Sequence, residues 1–183
     1  MLYSKSTGGF YDPAIHGSNI PSDAIEISND TYFALLAAQT LGKVITADAD
    51  GNPVAVDPNT LMTLAQAQAM QSAAVSSACS CAINAGFASS ALGKSHTYPS
   101  KDTDQRGLLN AALVAQGQPS SWTASLWCYS GNAWAYVSHT AAQVQQVNAD
   151  WLAYRQSQQS KYADLLSQIN AATTVSAVLA VNW

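Results

Sequence analysis

The chain has 183 residues, 48% hydrophobic and only 10% charged, with a formal net charge of −4. Without a Lys/Arg cluster there is no electrostatic footprint for nucleic acid, and no uninterrupted apolar run reaches the length of a membrane span. Soluble domains carry roughly 25% charged residues, so Ser, Thr, Gln, Asn and Ala must cover this surface, which suits a protein packed against others and also an exported or environmentally exposed particle.

The opening Met1-Leu2-Tyr3-Ser4-Lys5 lacks the apolar core of a signal peptide and predicts a product that stays in a cytoplasm unless it leaves inside a larger assembly. Leu2-Tyr3-Ser4, the glycine pair Gly8-Gly9 and Phe10-Tyr11 read as strand, turn and strand. Asp12-Pro13 breaks this pattern, and Ile20-Pro21 adds an extended step because the residue before proline is pushed out of the α region. A short strand over 24–27 follows, then a helix capped by Asn29 and closed by Gly42. Val44-Ile45-Thr46 and Val54-Ala55-Val56 flank the turn-rich Asp48-Ala49-Asp50-Gly51-Asn52-Pro53 as a hairpin. Residues 1–58 therefore form a small β-rich module with one helix.

Asp57-Pro58 supplies an N-cap and first helical residue for an Ala/Gln-rich helix running to about Ser77. Such a helix, almost free of charge, needs a surface to lean on. Cys81-Ala82-Ile83-Asn84 and His96-Thr97-Tyr98 read as two strands around Gly86 and Gly93. Asp102 with Gln105 starts a further helix, carrying Leu108, Leu109, Leu113 and Val114 and ended by Gly117. The clearest hairpin joins 122–129 to 133–138 through Ser130-Gly131-Asn132. Thr140 caps the longest helix, with Val144, Val147, Trp151, Tyr154, Gln158, Tyr162, Leu165 and Ile169 spaced by threes and fours. A short helix begins at Thr173 or Thr174 and runs to Trp183. The fold class is α+β: the β-rich module, then a helix–hairpin–helix–hairpin–long-helix domain over 59–183.

Two stretches carry a resemblance. Met1 through Asp12, then Ile20-Pro21-Ser22-Asp23-Ala24, Asn29-Asp30-Thr31-Tyr32, Gly42-Lys43-Val44-Ile45 and Gly51-Asn52-Pro53-Val54, resemble the N-terminal module of phage tail-fibre assembly proteins. Cys81 through Phe87, His96-Thr97-Tyr98-Pro99, Asp104-Gln105, Trp122, Gly131-Asn132-Ala133-Trp134 and the Thr140 helix ending in Ile169-Asn170-Ala171-Ala172 resemble a phage-tail domain family of unknown function. The resemblance implies a fibre-assembly chaperone or a fibre-associated structural part. It brings no catalytic residues and no cofactor, and the usual assembly-protein C-terminal domain is not recognisable.

Chemistry-bearing residues are sparse. Cys79, Cys81 and Cys128 are odd in number, and the one-residue gap in Cys79-Ser80-Cys81 strains tetrahedral zinc geometry, so reduced thiols are expected and no metal site. His16, His96 and His139 can be drawn into triads with Ser95, Ser138 or Cys128, but no G-x-S-x-G elbow supports one. Asp48-x-Asp50-x-Asn52 departs from a calcium loop and fits a turn. Gln158 on the long helix fits either a helix lying on its own sheet or a register-setting position between copies.

Aromatics concentrate in the second half. Alternation puts Trp122, Ala124, Leu126 and Cys128 on one face of their strand and Thr123, Ser125, Trp127 and Tyr129 on the other. One face should pack on the long helix, and the Trp127 face should meet a partner, although both faces also suit a small core. The candidate partner-binding residues are Tyr3, Phe10, Tyr11, Trp127, Tyr129, Trp134 and Tyr136. The expected function is non-catalytic: binding the tail fibre, as chaperone in the host cytoplasm or as a part of the virion tail. Baseplate or other tail components and further copies of the chain are the other expected partners. The alternative is a receptor- or carbohydrate-binding tail protein that uses the aromatic hairpin.

Overall fold

A computed structural model describes the whole chain, Met1–Trp183, which divides into two compact units, Met1–Leu64 and Ala65–Trp183. Helices and strands mix throughout, and the fold is α+β.

In the first unit, β1 (Leu2–Ser4) is the centre of an antiparallel sheet ordered β2-β1-β3, with β2 spanning Gly9–Tyr11 and β3 Ile25–Glu26. The helix α1 (Pro13–His16) starts at Asp12, whose carboxylate accepts from the Ala14 N–H at 2.9 Å. Helix α2 covers Asn29–Thr40, and its cap is Ser28 instead of Asn29: the Ser28 hydroxyl accepts from the Thr31 N–H at 3.0 Å. Serine and asparagine are near-equal caps, so composition alone could not separate the two neighbours. Strands β4 (Val44–Ala47) and β5 (Pro53–Val56) pair as the expected hairpin. Asp48 accepts from the Asp50 and Asn52 N–H groups at 3.0 and 2.8 Å, so its carboxylate serves the turn, and the Asn52 bond chiefly holds its pKa below the ordinary range. Asp23 does the same for the first strand pair. It takes the Ser4 hydroxyl at 2.8 Å and both the Ser6 N–H and hydroxyl at 2.9 Å.

Asp57 caps a single 3-10 turn, Pro58–Leu61, and the long helix α3 begins only at Leu64. It runs to Asn84, so Cys81–Asn84 is helix and not strand. A short apolar run such as Cys81-Ala82-Ile83 fits either state; the spacing of the buried Val75 and Cys79 continues through Ile83 and settles it as helix. The chain then turns at Gly86, with φ +107° and the Tyr98 carbonyl 2.9 Å from where a Cβ would sit. The strand of this region is β6 (Phe87–Ser89), paired with β7 (His96–Tyr98). Helix α4 is Asp102–Val114. Its box differs from the expected one: the Asp104 carboxylate accepts from the Lys101 N–H at 3.0 Å, while Gln105 reaches the Ser100 carbonyl at 2.7 Å.

Strands β8 (Thr123–Ser130) and β9 (Ala133–Thr140) complete a four-stranded antiparallel sheet ordered β6-β7-β8-β9. Thr140 and Gln143 form a reciprocal capping box at the head of α5 (Ala141–Ala171). Helix α5 crosses the sheet with its first half, where Val147 and Trp151 join Phe87, Tyr98, Leu108 and Cys128 in one buried cluster. Its second half leaves the sheet and lies along α3. The Tyr154 hydroxyl donates to the Ala82 carbonyl at 3.0 Å, Cys79 meets the Gln158 carbonyl at 3.7 Å, and Gln68 donates to the Ile169 carbonyl at 3.2 Å. As the residue number climbs on one helix it falls on the other, so the two are antiparallel in constant register. The seam at Gln158 is thus filled by α3 of the same chain. The last helix, α6 (Val175–Leu179), starts at Thr174, and Gln71 of α3 bonds the Val181 carbonyl just beyond it.

Candidate functional site

The β8–β9 hairpin is closed by a two-residue turn in which Gly131 (φ +59°) and Asn132 (φ +71°) are both left-handed, the geometry that matches strand twist. Eight continuous pairs follow, from Ser130↔Ala133 to Thr123↔Thr140. Side chains alternate, so Ala124, Leu126 and Cys128 turn inward with Val137 and His139. His139 is fully buried: its Nδ1 donates to the Val137 carbonyl at 2.8 Å, and its Nε2 accepts from the Tyr98 hydroxyl at 2.8 Å. Burial lowers the His139 pKa and raises those of Tyr98 and Cys128, so all three stay neutral near pH 7. These groups are fixtures of the core.

The opposite face is open. Trp127 pairs with Tyr136 and Tyr129 with Trp134, giving two aromatic rungs. Ring centroids lie 4.8 Å apart for Trp127–Tyr136 and 5.5 Å for Tyr129–Trp134. The indoles of Trp127 and Trp134 are nearly parallel, 13° apart at 6.3 Å. Trp127, Tyr129, Trp134 and Tyr136 are 41%, 40%, 43% and 72% exposed. Beside Trp127 a cleft of about 270 Å³ opens against α4, floored by Leu108, Ala111 and Leu126. The same helix leaves Leu109, Leu113 and Val114 exposed. From Gly107 through Ala149 there is no Asp, Glu, Lys or Arg, so the hairpin and the second half of α4 carry no charge, while Asp104 lines the cleft. That uncharged stretch is the signal in the sequence that marks α4 as part of the region, in addition to the aromatics.

The sequence-derived candidates thus fall into two groups. Trp127, Tyr129, Trp134 and Tyr136 are brought together on one exposed face. Tyr3, Phe10 and Tyr11 belong to the first unit and are held inward. Tyr3 lies on the central strand at 1% exposure with its ring 5.4 Å from that of Phe10, so it is a core residue and presents no surface. Phe10 also packs edge-on to Tyr32 at 5.0 Å, and the Tyr11 hydroxyl donates to Thr7 at 3.0 Å; both are half-buried.

The histidines are scattered. His96 bridges the Lys94 carbonyl (2.7 Å, Nδ1) and the Ser130 hydroxyl (2.9 Å, Nε2), a pairing that Ser95, Ser138 and Cys128 had been candidates for. A backbone carbonyl and not a carboxylate orients the ring, so the contact pins the hairpin tip to β7. His16 packs edge-on against Tyr11 in the first unit, with ring centroids 5.2 Å apart. Cys79 and Cys128 are buried and Cys81 is exposed, all three as free thiols.

A stretch of 56 residues, 31% of the chain, is 49% identical to a probable tail fiber assembly protein of Shigella phage SfV, and it spans 34% of that relative's length. No solved structure matches the chain. Residues 66–182 match the model of a family described as a domain of unknown function, DUF4376. That span takes in α4, the hairpin and α5, and the protein belongs to this family.

Proposed function

We propose that the protein acts without catalysis in the assembly of a bacteriophage tail fibre, in the host cytoplasm, and that it binds the fibre through the outer face of the β8–β9 hairpin. The observation that carries this reading is the exposed, uncharged aromatic ladder of Trp127, Tyr129, Trp134 and Tyr136. Tryptophan and tyrosine supply large contact area at low entropic cost and dominate interface energetics. The similarity to a probable tail fiber assembly protein supports the fibre as the partner.

Co-purification tests this. From infected-cell lysate the tagged chain is expected to retain the fibre protein, and a Trp127→Ala/Trp134→Ala variant to lose it. Quantitative mass spectrometry of purified particles then separates two roles: absence marks an assembly chaperone, and a fixed ratio to the fibre marks a tail or baseplate component. Retention of the fibre by the double variant would overturn the assignment of the binding face.

The near-parallel indoles favour one second reading, a platform for a sugar ring and hence a receptor-binding tail protein. Glycan titration followed by tryptophan fluorescence tests it: saturable quenching that the double variant abolishes is the expected sign.

A further inference from the structure

The two edges of the four-stranded sheet differ in kind. At one edge, β6 has three residues, too few to template a neighbour. At the other, β9 has eight, is paired on one side only, and runs without bulge or proline. Natural sheets guard long edges with charge, proline or bulges, because unpaired N–H and C=O groups recruit another strand. None of these guards is present, and no charged residue lies anywhere in β8 or β9.

Which groups are unpaired follows from the turn. In a hairpin closed by two residues the closing pair is hydrogen bonded, and pairs alternate from there. The backbone groups of Ala133, Ala135, Val137 and His139 therefore face β8, and those of Trp134, Tyr136, Ser138 and Thr140 face the open side. Thr140 confirms the alternation, since its N–H is taken by the Gln143 side chain at 2.8 Å. Trp134, Tyr136 and Ser138 remain, each with an outward N–H and C=O, and all three are exposed.

We infer that β9 pairs antiparallel with β9 of a second copy of this chain, about a twofold axis through Tyr136, fusing two four-stranded sheets into one of eight strands. The outward set is symmetric about its middle member, so Tyr136 faces its own counterpart and Trp134 faces the other copy's Ser138. Each of these three pairs exchanges two hydrogen bonds. Two copies of one patch satisfy each other by construction, as an isologous interface requires. The absence of charge removes the like-charge repulsion that keeps ordinary edges apart. Only the backbone edge is consumed: the ladders stay open and join across the axis, Tyr136 beside Tyr136. The pairing stands independently of any fibre contact.

The experiment uses the full chain in isolation. Light scattering after size exclusion is expected to give twice the chain's 19.2 kDa, with dissociation on dilution. Tyr136→Lys, which sets two ammonium groups face to face at the axis, is expected to weaken the dimer more than about tenfold. Ser138→Pro, which deletes one outward N–H, should weaken it as well. Tyr136 is 72% exposed, so the lysine variant keeps the native circular dichroism and decides the matter if the proline variant unfolds. Amide exchange of the unmodified chain adds a readout free of mutation: Trp134, Tyr136 and Ser138 should slow with rising concentration. A monomer at every concentration overturns the proposal. So does a dimer indifferent to Tyr136→Lys, or protection of these three amides only when the fibre protein is added, which would make the edge a fibre site.

Discussion

On one side of the β8–β9 hairpin, Cys128 and His139 have no exposed surface and meet Trp151, Val147 and Tyr98; on the other, four aromatics of similar bulk stand in solvent. Both sides come from the same alternating pattern, and each carries side chains large or apolar enough to be buried. What separates them is which side the amphipathic start of α5 reaches: Val144, Val147 and Trp151 fall three or four apart and present one apolar stripe, enough to cover one face. The lesson is that an aromatic in a strand is read from its neighbours in space. The inner face determines whether the unit folds, and the outer face is free to serve a partner.

The largest expected effect lies on the inner side. Trp151→Ala removes the ring that packs 5.3 Å from Phe87 and should cost about 3–5 kcal/mol in urea unfolding. Gly86→Ala comes next, at about 1–3 kcal/mol, because the residue must hold φ +107° with a carbonyl 2.9 Å from its new methyl. Thermal melts of the two variants set the inner scale. The double Trp127→Ala/Trp134→Ala change on the outer side should move stability by under about 1.5 kcal/mol, since the ring contacts it removes all lie on the exposed face. If that variant melted like Trp151→Ala, the two faces would not differ as described.

The smallest effect sharpens the comparison by pH. His139 has its folded pKa below the ordinary 6.5, so the unfolded chain takes up a proton before the folded one does. Stability of the second unit is then fully present above about pH 6.5 and declines as pH falls toward the folded value. Asp23 and Asp48 in the first unit are also depressed, from 3.8, so their contribution persists until far stronger acid. Amide exchange at pH 7 and pH 5 should therefore show the amides around His139 opening while those around Ser4 and Asp48 do not.

Much of this was legible in the chain itself. The hairpin over Thr123–Thr140, its turn, the Thr140 cap and the Trp127/Tyr129 face follow from alternation and turn chemistry, which are local. The errors arose where the deciding contact is distant. Cys81–Asn84 reads as a strand because the apolar run is short; its helix is held by contacts to α5, with Ile83 packed on the Trp151 cluster and the Ala82 carbonyl tied to Tyr154, 72 positions on. Tyr3 reads as a candidate for partner binding because strand order is not visible in the sequence, whereas β2 and β3 pair on either side of β1 and make it central. The ladder's rungs needed the register, which only the two-residue turn supplies.

The α3–α5 pairing bears on how the second unit comes into being on the ribosome. Its ties, Ala82 to Tyr154, Cys79 to Gln158 and Gln68 to Ile169, join positions 72, 79 and 101 residues apart. Helix α3 is synthesised early, yet its apolar seam has no cover until the second half of α5 has emerged. Loop closure over such spans precedes any gain from the contact, which slows folding. During that interval a long Ala/Gln-rich helix and the unguarded β9 edge are exposed together, a state prone to associate with other nascent chains. Shortening the chain from its C-terminal side into α5 would prolong that interval indefinitely, leaving α3 bare in a product whose hairpin is still intact.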